Sequence, residues 1–485
     1  MVLDCSLNTA ALHRPGGGPP PPPKPDRPDF SSTGLLPAFL YHPDSEETTK
    51  SGDRITRVVA APGSPDLLTT GTGPVERIDG AGTKCWRFED GASLDLPDSF
   101  TVTPRSFTLF IVGRHHERTN SCSFFSTKYQ SDGVTRANTL GALFATTGSG
   151  GAAPWLRCTN RAGYNATTNA AHMAAGSQLA CFGVASRTGG NGGLLYYMNG
   201  VRGADSASGS THTDCKGGRF GGYAYNDSNL SGFDLYCAVL FTGELSTEQA
   251  DSVSRVLMDF YSLTPLVRNL ILEGDSITAG GSEIPTGDNT AMALTEPGMG
   301  LVAGNVRVIN MAIAGAMTSD AVNRRDTANG WPSAKLGDRV GDNILAFQVG
   351  RNDTSSGGLS PEQTYQAILS YWNANSNGVV ARGWRPYQMA NIACDAGETS
   401  VDLHDRILDS FSTDVLGGTA IDLQRIRDSG GGHGDDFAPF AFDAQNATYF
   451  QTVGGVLDTT HPSIYGTKVM ASGGDTPQYG YAAIA

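Results

Sequence analysis

The chain has 485 residues, 39% hydrophobic and 17% charged, with 62 glycines. That length allows two or three domains, and the composition excludes a disordered chain. A net charge of −14 argues against a nucleic-acid surface, and no apolar run reaches the length of a membrane span.

Met1 to Leu12 lack the basic start and long apolar core of a secretory signal, and no twin-arginine signal is present. Residues 1–28 are rich in proline and glycine: Gly16 to Gly18 precede five consecutive prolines, Pro19 to Pro23. Prolines in series form a stiff polyproline II rod, and the glycines before it act as a swivel. We expect this arm to dock the molecule onto a larger protein assembly. A disordered leader is the plainer reading. The eight cysteines, Cys5, Cys85, Cys122, Cys158, Cys181, Cys215, Cys237 and Cys394, include no CxxC pair, and several sit in apolar runs. They read as buried free thiols, although the even count leaves disulfides open.

Residues 29–262 read as short strands separated by Gly, Asp, Ser and Asn. Ser106 to Gly113, Leu194 to Met198 and Phe233 to Phe241 are strong strand candidates, and Asn199-Gly200 is a hairpin turn pair. Many short strands at this spacing predict a sandwich or jelly roll. A helix closes the region, with Ser246 as N-cap, Gln249 completing a capping box, and an apolar stripe of Ala250, Val253, Val256, Leu257 and Phe260. Three stretches, Trp86 to Pro97, Tyr197 to Val201 and Leu235 to Phe260, resemble the concanavalin A-like (laminin-G-like) jelly-roll family. That resemblance implies glycan binding. Tyr223 and Tyr225 are candidates to stack on a sugar, with a sheet neighbour as the simpler partner. His115 and His116 lack a third ligand at a telling spacing, so no metal is expected there.

After the short connection Ser262-Leu263-Thr264-Pro265, residues 263–485 alternate strands and helices. Strands are predicted at 269–272, 306–311, 343–349, 387–392 and 419–423. Helices are predicted at 319–328, at 361–374 with Ser360 as N-cap, near 400–411, and after Ser463. This alternation predicts a parallel sheet covered by helices on both faces, with reactive residues at the C-terminal strand ends. The residues following the strands are Gly274-Asp275-Ser276, then Asn310 to Gly315, then Gly350-Arg351-Asn352-Asp353, and finally Asp458-Thr459-Thr460-His461. Pro462 is expected to keep His461 out of a helix and on a loop. Taken singly, Ser276 reads more readily as a helix cap, Asn352 as a turn residue, and Asp458 and His461 as a local loop pair. Four ordered blocks point to chemistry instead.

Those four blocks resemble the SGNH (GDSL-type) serine hydrolases, over most of residues 266–475. The segment 424–457 has no obvious counterpart and reads as an insertion beside the site. The resemblance implies a multidomain chain: an all-β jelly-roll sandwich followed by an α/β three-layer, flavodoxin-like SGNH hydrolase domain with a parallel sheet. It implies a catalytic triad of Ser276, Asp458 and His461, and an oxyanion hole made by the N–H of Ser276, the N–H of Gly315 and the Asn352 amide. No cofactor and no metal are implied. Asp275 and Asp353 are expected to organise loops. His433, Asp435 and Asp436 are a weak cation candidate against the reading of a solvated glycine-rich loop.

The expected substrate is an acylated polysaccharide carrying small acyl groups, O-acetyl first. The expected setting is a phage virion fibre or decoration protein acting on host surface glycans, with non-Sec export of a bacterial protein as its rival. A homo-oligomer is compatible with this setting; nucleic acid and membrane partners are not expected. The alternative function is a non-catalytic glycan-binding adhesin or structural virion protein built on the same folds.

Overall fold

Antiparallel pairing dominates residues 39–242, where alternating apolar residues and glycine-rich turns favour hairpins. The computed structural model describes residues 27–79, 82–89, 91–102, 107–115, 121–129, 141–145, 155–159, 179–186, 194–202, 215–223, 228–229, 232–243, 245–279, 289–296, 299, 301–302, 305–310, 312–326, 342–390, 398–429 and 447–485. Most of the proline-rich arm, 1–26, therefore lies outside the described residues.

Among the described residues, sixteen strands form one sheet, running from Trp155–Thr159 at one edge to Val201–Arg202 at the other. The sheet curls until distant strands face each other. Phe39 lies beside the strand Phe233–Thr242, yet its ring is 6.0 Å from both Phe125 and Phe220, which belong to strands near the opposite edge. The enclosed face buries Trp86, Phe88, Leu94, Phe107 and Phe124.

Strand Phe233–Thr242 shows how one sequence serves two faces. Phe233, Leu235, Ala238 and Leu240 enter the enclosed core, while Cys237, Val239 and Phe241 enter the other. The parity switches because the pairing register shifts between Leu235 and Cys237, and a one-residue bulge exchanges the faces of everything after it. The outer face is covered by α1 (Thr247–Phe260), whose Ser246 and Gln249 form the expected capping box. The expected hairpin also forms: Met198 pairs with Val201, and Asn199 and Gly200 take φ of 42° and 77°, as a two-residue mirror-image turn requires. The jelly-roll expectation thus meets a large, curled, antiparallel sheet with a helix on its outer face.

The second sheet is parallel. Its strands are β1 (Arg268–Gly274), β2 (Val306–Asn310), β3 (Asp342–Gln348), β4 (Arg385–Ala390) and β5 (Thr419–Asp422), in the order β2-β1-β3-β4-β5. Each overlaps a strand read from the sequence. Leu270, Leu272, Ile344 and Ala346 face one core, and Ile271, Leu345 and Phe347 face the other. Both faces are covered, so the central strands β1 and β3 read as continuous apolar runs rather than alternating ones. Helices Pro361–Asn373 and Glu398–Asp414 cover one face, burying Tyr365, Trp372, Leu403 and Phe411. Helix Ile464–Ser472 and the C-terminal turns with Tyr481 and Ile484 cover the other. Ser360 caps its helix through the predicted box with Gln363. Among the described residues, no helix is long and apolar enough to cross a membrane.

Candidate active site

Strand β1 ends in a tight turn. A Cβ at Gly274 would lie 2.6 Å from Thr278 Oγ1 and 2.7 Å from the Gln348 carbonyl oxygen, so a side chain there would force the turn open. Asp275 follows, with its N–H donating to the Gln348 carbonyl at 3.2 Å and its Oδ1 accepting the Ile277 N–H at 3.0 Å. Ser276 then opens the short helix Ser276–Ala279. A buried set of polar groups braces the turn from below. Thr278 Oγ1 and the Tyr481 hydroxyl both donate to Gln348 Oε1, at 2.8 and 2.7 Å, and Asn310 Nδ2 donates to the Thr278 carbonyl at 3.1 Å. Burial pushes the Asp275 carboxyl up to about 7, against the pull of the Ile277 N–H.

The histidine arrives on a hairpin, β6 (Phe450–Val453) and β7 (Val456–Pro462), and not on a free loop as the sequence suggested. Its pairing is irregular. Gln451 faces Asp458, but the next residue, Phe450, faces Pro462. Residues 459–461 therefore bulge out of the ladder, and a bulge re-aims side chains that a regular strand would send to alternate faces. The segment 424–457, read as an insertion beside the site, supplies most of this arm.

The bulge brings three side chains into line. Ser276 Oγ lies 2.8 Å from His461 Nε2, and His461 Nδ1 lies 2.7 Å from Asp458 Oδ2. Asp458 Oδ1 accepts the N–H groups of Thr460 and His461, at 2.9 and 3.2 Å, which fixes the carboxylate within its own turn. Burial opposes ionisation of Asp458, but the His461 hydrogen bond and the Thr460 amide outweigh it and hold the carboxyl below its ordinary range. A carboxylate can only accept, so Nδ1 carries the proton and Nε2 is left to accept from the serine hydroxyl. All three groups are partly exposed.

Gly315, on the loop after β2, and Asn352, in the short helix Arg351–Ser355 after β3, meet beside the serine turn. The Ile313 N–H donates to the Gly274 carbonyl at 3.0 Å, tying that loop to the serine turn. Gly315 is exposed, with φ of +77°, a conformation that favours glycine. Asn352 Nδ2 donates to the Ala316 carbonyl at 3.0 Å, which uses one of its two amide hydrogens. Next to it, both carboxylate oxygens of Asp353 receive the Thr318 N–H, at 3.1 and 3.0 Å, and Oδ2 also accepts from Thr318 Oγ1 at 3.1 Å. Asp353 thus has the loop-organising position read for it; burial raises its carboxyl despite these bonds. Among the described residues, the N–H groups of Ser276 and Gly315 have no hydrogen-bond acceptor.

His116, Tyr225, His433, Asp435 and Asp436 lie outside the described residues, and the side chains of His115 and Tyr223 do too. Among the described residues, no group of three His, Cys, Asp or Glu side chains is arranged to hold a metal ion. Four of the cysteines, Cys85, Cys181, Cys215 and Cys237, are buried free thiols. The sequence reading did not find the Gln348–Thr278–Tyr481 brace, or the Asp428 contacts described below. These partners are far apart along the chain and carry no local signature.

No protein-family model matches the sequence, and no curated protein matches it. Among solved structures, a family two carbohydrate esterase from Clostridium thermocellum, studied as an active-site mutant, is similar at 10% identity over 87% of this chain and 97% of that one, with a TM-score of 0.31. A protein from Desulfitobacterium hafniense described as a lipolytic protein of the G-D-S-L family is similar at 14% identity over 45% of this chain and 99% of that one, TM-score 0.31. A protein from Parabacteroides merdae described as a GDSL-like lipase is similar at 14% identity over 43% of this chain and 94% of that one, TM-score 0.31. At such TM-scores and identities, these likenesses carry no argument about activity.

Proposed function

We propose that the chain is a serine esterase of the SGNH (GDSL) type that removes small acyl groups, O-acetyl first, from a polysaccharide. One observation carries the reading: the hydrogen-bonded line from Ser276 Oγ through His461 to Asp458, at 2.8 and 2.7 Å. The order β2-β1-β3-β4-β5 supports a flavodoxin-like layout, in which the C-terminal ends of the strands gather the reactive groups.

In this reading, Ser276 Oγ attacks the ester carbonyl carbon while His461 Nε2 takes the hydroxyl proton. Asp458 holds the imidazole orientation and stabilises the imidazolium. The carbonyl oxygen becomes an oxyanion, met by the N–H groups of Ser276 and Gly315 and by the amide hydrogen of Asn352 that Ala316 leaves over. The tetrahedral adduct collapses, the carbon–oxygen bond to the alcohol breaks, and His461 returns the proton to the departing oxygen. Water then attacks the acyl-serine with His461 again as base, releasing the carboxylic acid and restoring Ser276. The partial exposure of Ser276, Asp458 and His461 suits an ester carried on a bulky polymer rather than a small molecule enclosed in a cavity.

The test is acetate release from O-acetylated polysaccharides and from p-nitrophenyl acetate, together with fluorophosphonate labelling located by peptide mass spectrometry. The label is expected on Ser276, and Ser276→Ala is expected to lose both label and turnover. Turnover undiminished in Ser276→Ala would refute the proposal. A virion setting belongs to the same proposal, and deletion of residues 1–28 is expected to abolish incorporation into the parent assembly while leaving esterase activity intact.

A further inference from the structure

The hairpin β6–β7 carries both His461 and Asp458, and its outer end, from Thr452 to Val456, is exposed. An arm of this kind is as well placed as its base is fixed. Two tyrosines flank that base. Tyr449 immediately precedes β6, and Tyr465 lies in the first turn of the helix that follows β7. Both hydroxyls donate to the same oxygen: Tyr449 to Asp428 Oδ2 at 2.9 Å, and Tyr465 to Asp428 Oδ2 at 2.8 Å.

Backbone contacts close the same base. The Ser463 N–H donates to the Tyr449 carbonyl at 2.8 Å, and Ser463 Oγ donates to the Thr448 carbonyl at 2.6 Å. Gly466 lets helix and strand approach so closely that a Cβ there would lie 2.0 Å from the Tyr449 carbonyl oxygen. Asp428 is itself held. The Arg427 N–H donates to Thr476 Oγ1 at 2.8 Å, and the Asp475 N–H donates to the Arg427 carbonyl at 2.7 Å, so the segment bearing Asp428 is sewn to the turn after the last helix. Asp428 is 6% exposed, which makes its hydrogen bonds strong and their loss costly.

We propose that Asp428 is the positioning residue for the catalytic base: one carboxylate oxygen, shared by Tyr449 and Tyr465, sets the entry and exit of the arm and thereby the aim of His461 at Ser276. This rests on the esterase reading for its kinetic consequence, but the geometry it asserts has a readout of its own. The Asp428 carboxylate meets the two tyrosines at the base of the arm. It acts through the two ends of the hairpin, at the scale where a displacement of about 1 Å costs roughly a hundredfold in rate.

The experiment compares wild type with Asp428→Ala, Tyr465→Phe, Tyr449→Phe and the double phenylalanine variant. Each is measured by kcat and KM on p-nitrophenyl acetate per titrated active serine, and by the low-field proton resonance of the His461–Asp458 hydrogen bond in the substrate-free protein. Asp428→Ala is expected to lower kcat by about a hundredfold, the scale of a 1 Å displacement, with KM changed little, and to broaden or shift the resonance. The double phenylalanine variant is expected to reproduce that loss, with each single variant falling between. If Asp428→Ala does not fold, Tyr465→Phe, which removes one hydroxyl and keeps the ring, carries the test. An unchanged resonance and unchanged kcat per active serine in Tyr465→Phe and the double variant would overturn the proposal, whatever happens to thermal stability. Turnover that persists in Ser276→Ala counts against the esterase reading alone, because the resonance still reports on the clamp.

Discussion

Both sheets bury charged and polar groups, but they dispose of them differently. In the curled antiparallel sheet, the buried carboxylates Asp234 and Asp95 are taken up by arginines on adjacent strands. Asp234 is fully buried, and its carboxylate takes Arg87 Nε and Nη2 at 2.8 and 3.0 Å and Arg114 Nε at 2.8 Å. Asp95 takes Arg219 Nε and Nη2 at 2.6 and 3.1 Å. Such pairs repay their desolvation only when geometry is good, and they leave little capacity for a ligand. At the C-terminal edge of the parallel sheet, the arrangement is the reverse. Ser276, His461 and Asp458 stay partly exposed, and the Ser276 and Gly315 N–H groups have no acceptor among the described residues. Saturated polar groups hold a fold, whereas aligned and unsaturated ones can act on a substrate.

That contrast can be broken from either side. The largest effect is expected at Asp234. Asp234→Ala leaves two arginines without their shared carboxylate and is expected to lower unfolding stability by about 3 kcal/mol, read by urea denaturation, with turnover per folded active site unchanged. A comparable fall in kcat per active serine would show that the two sheets are not independent in this respect. Next comes Asn352→Ala, which removes an amide from the proposed oxyanion position and is expected to lower kcat about a hundredfold with only a small change in KM. An equal rise in KM with kcat intact would instead assign Asn352 to substrate binding.

The smallest effect concerns His404, in the helix Glu398–Asp414. Its Nδ1 lies 3.1 Å from Asp405 Oδ1 and its Nε2 lies 3.0 Å from Asp422 Oδ1, at the end of β5. Burial disfavours its charge, but the two carboxylates outweigh that and raise its pKa above the ordinary 6.5. A histidine with a raised folded-state pKa contributes stability that is fully present below 6.5 and is lost as pH rises through the folded value. The stability gap between wild type and His404→Gln is therefore expected to narrow as pH rises through that window, measured by thermal unfolding across a pH series. A gap that widens with pH would show that the imidazole is held neutral. Arg425, 3.0 Å from Asp422, competes for the same carboxylate and keeps the effect modest.

Legibility from sequence followed the range of the physics. The strand Phe107–His115, the Asn199-Gly200 turn and the two capping boxes at Ser246 and Ser360 are encoded within a few residues of one another, and each was readable. The central parallel strands β1 and β3 announce themselves as apolar runs because both their faces are buried. The register shift in Phe233–Thr242 left no local mark, because either parity of the apolar run Leu235 to Phe241 can be buried. The bulge at residues 459–461 was equally hidden: nothing in Asp458-Thr459-Thr460-His461 distinguishes a loop from a distorted strand.

What the sequence determined by itself was the set of reactive residue types, their order, and their attachment to the ends of periodic segments. Only the tertiary structure decided that Ser276 and His461, 185 residues apart, lie within a hydrogen bond of each other, and that Asp428 ties the base of the arm between them. Side-chain periodicity is set by neighbours along the backbone, whereas these distances depend on which strand lies beside which and where a register slips. Those choices are made by burial summed over the whole molecule, and no short stretch records them.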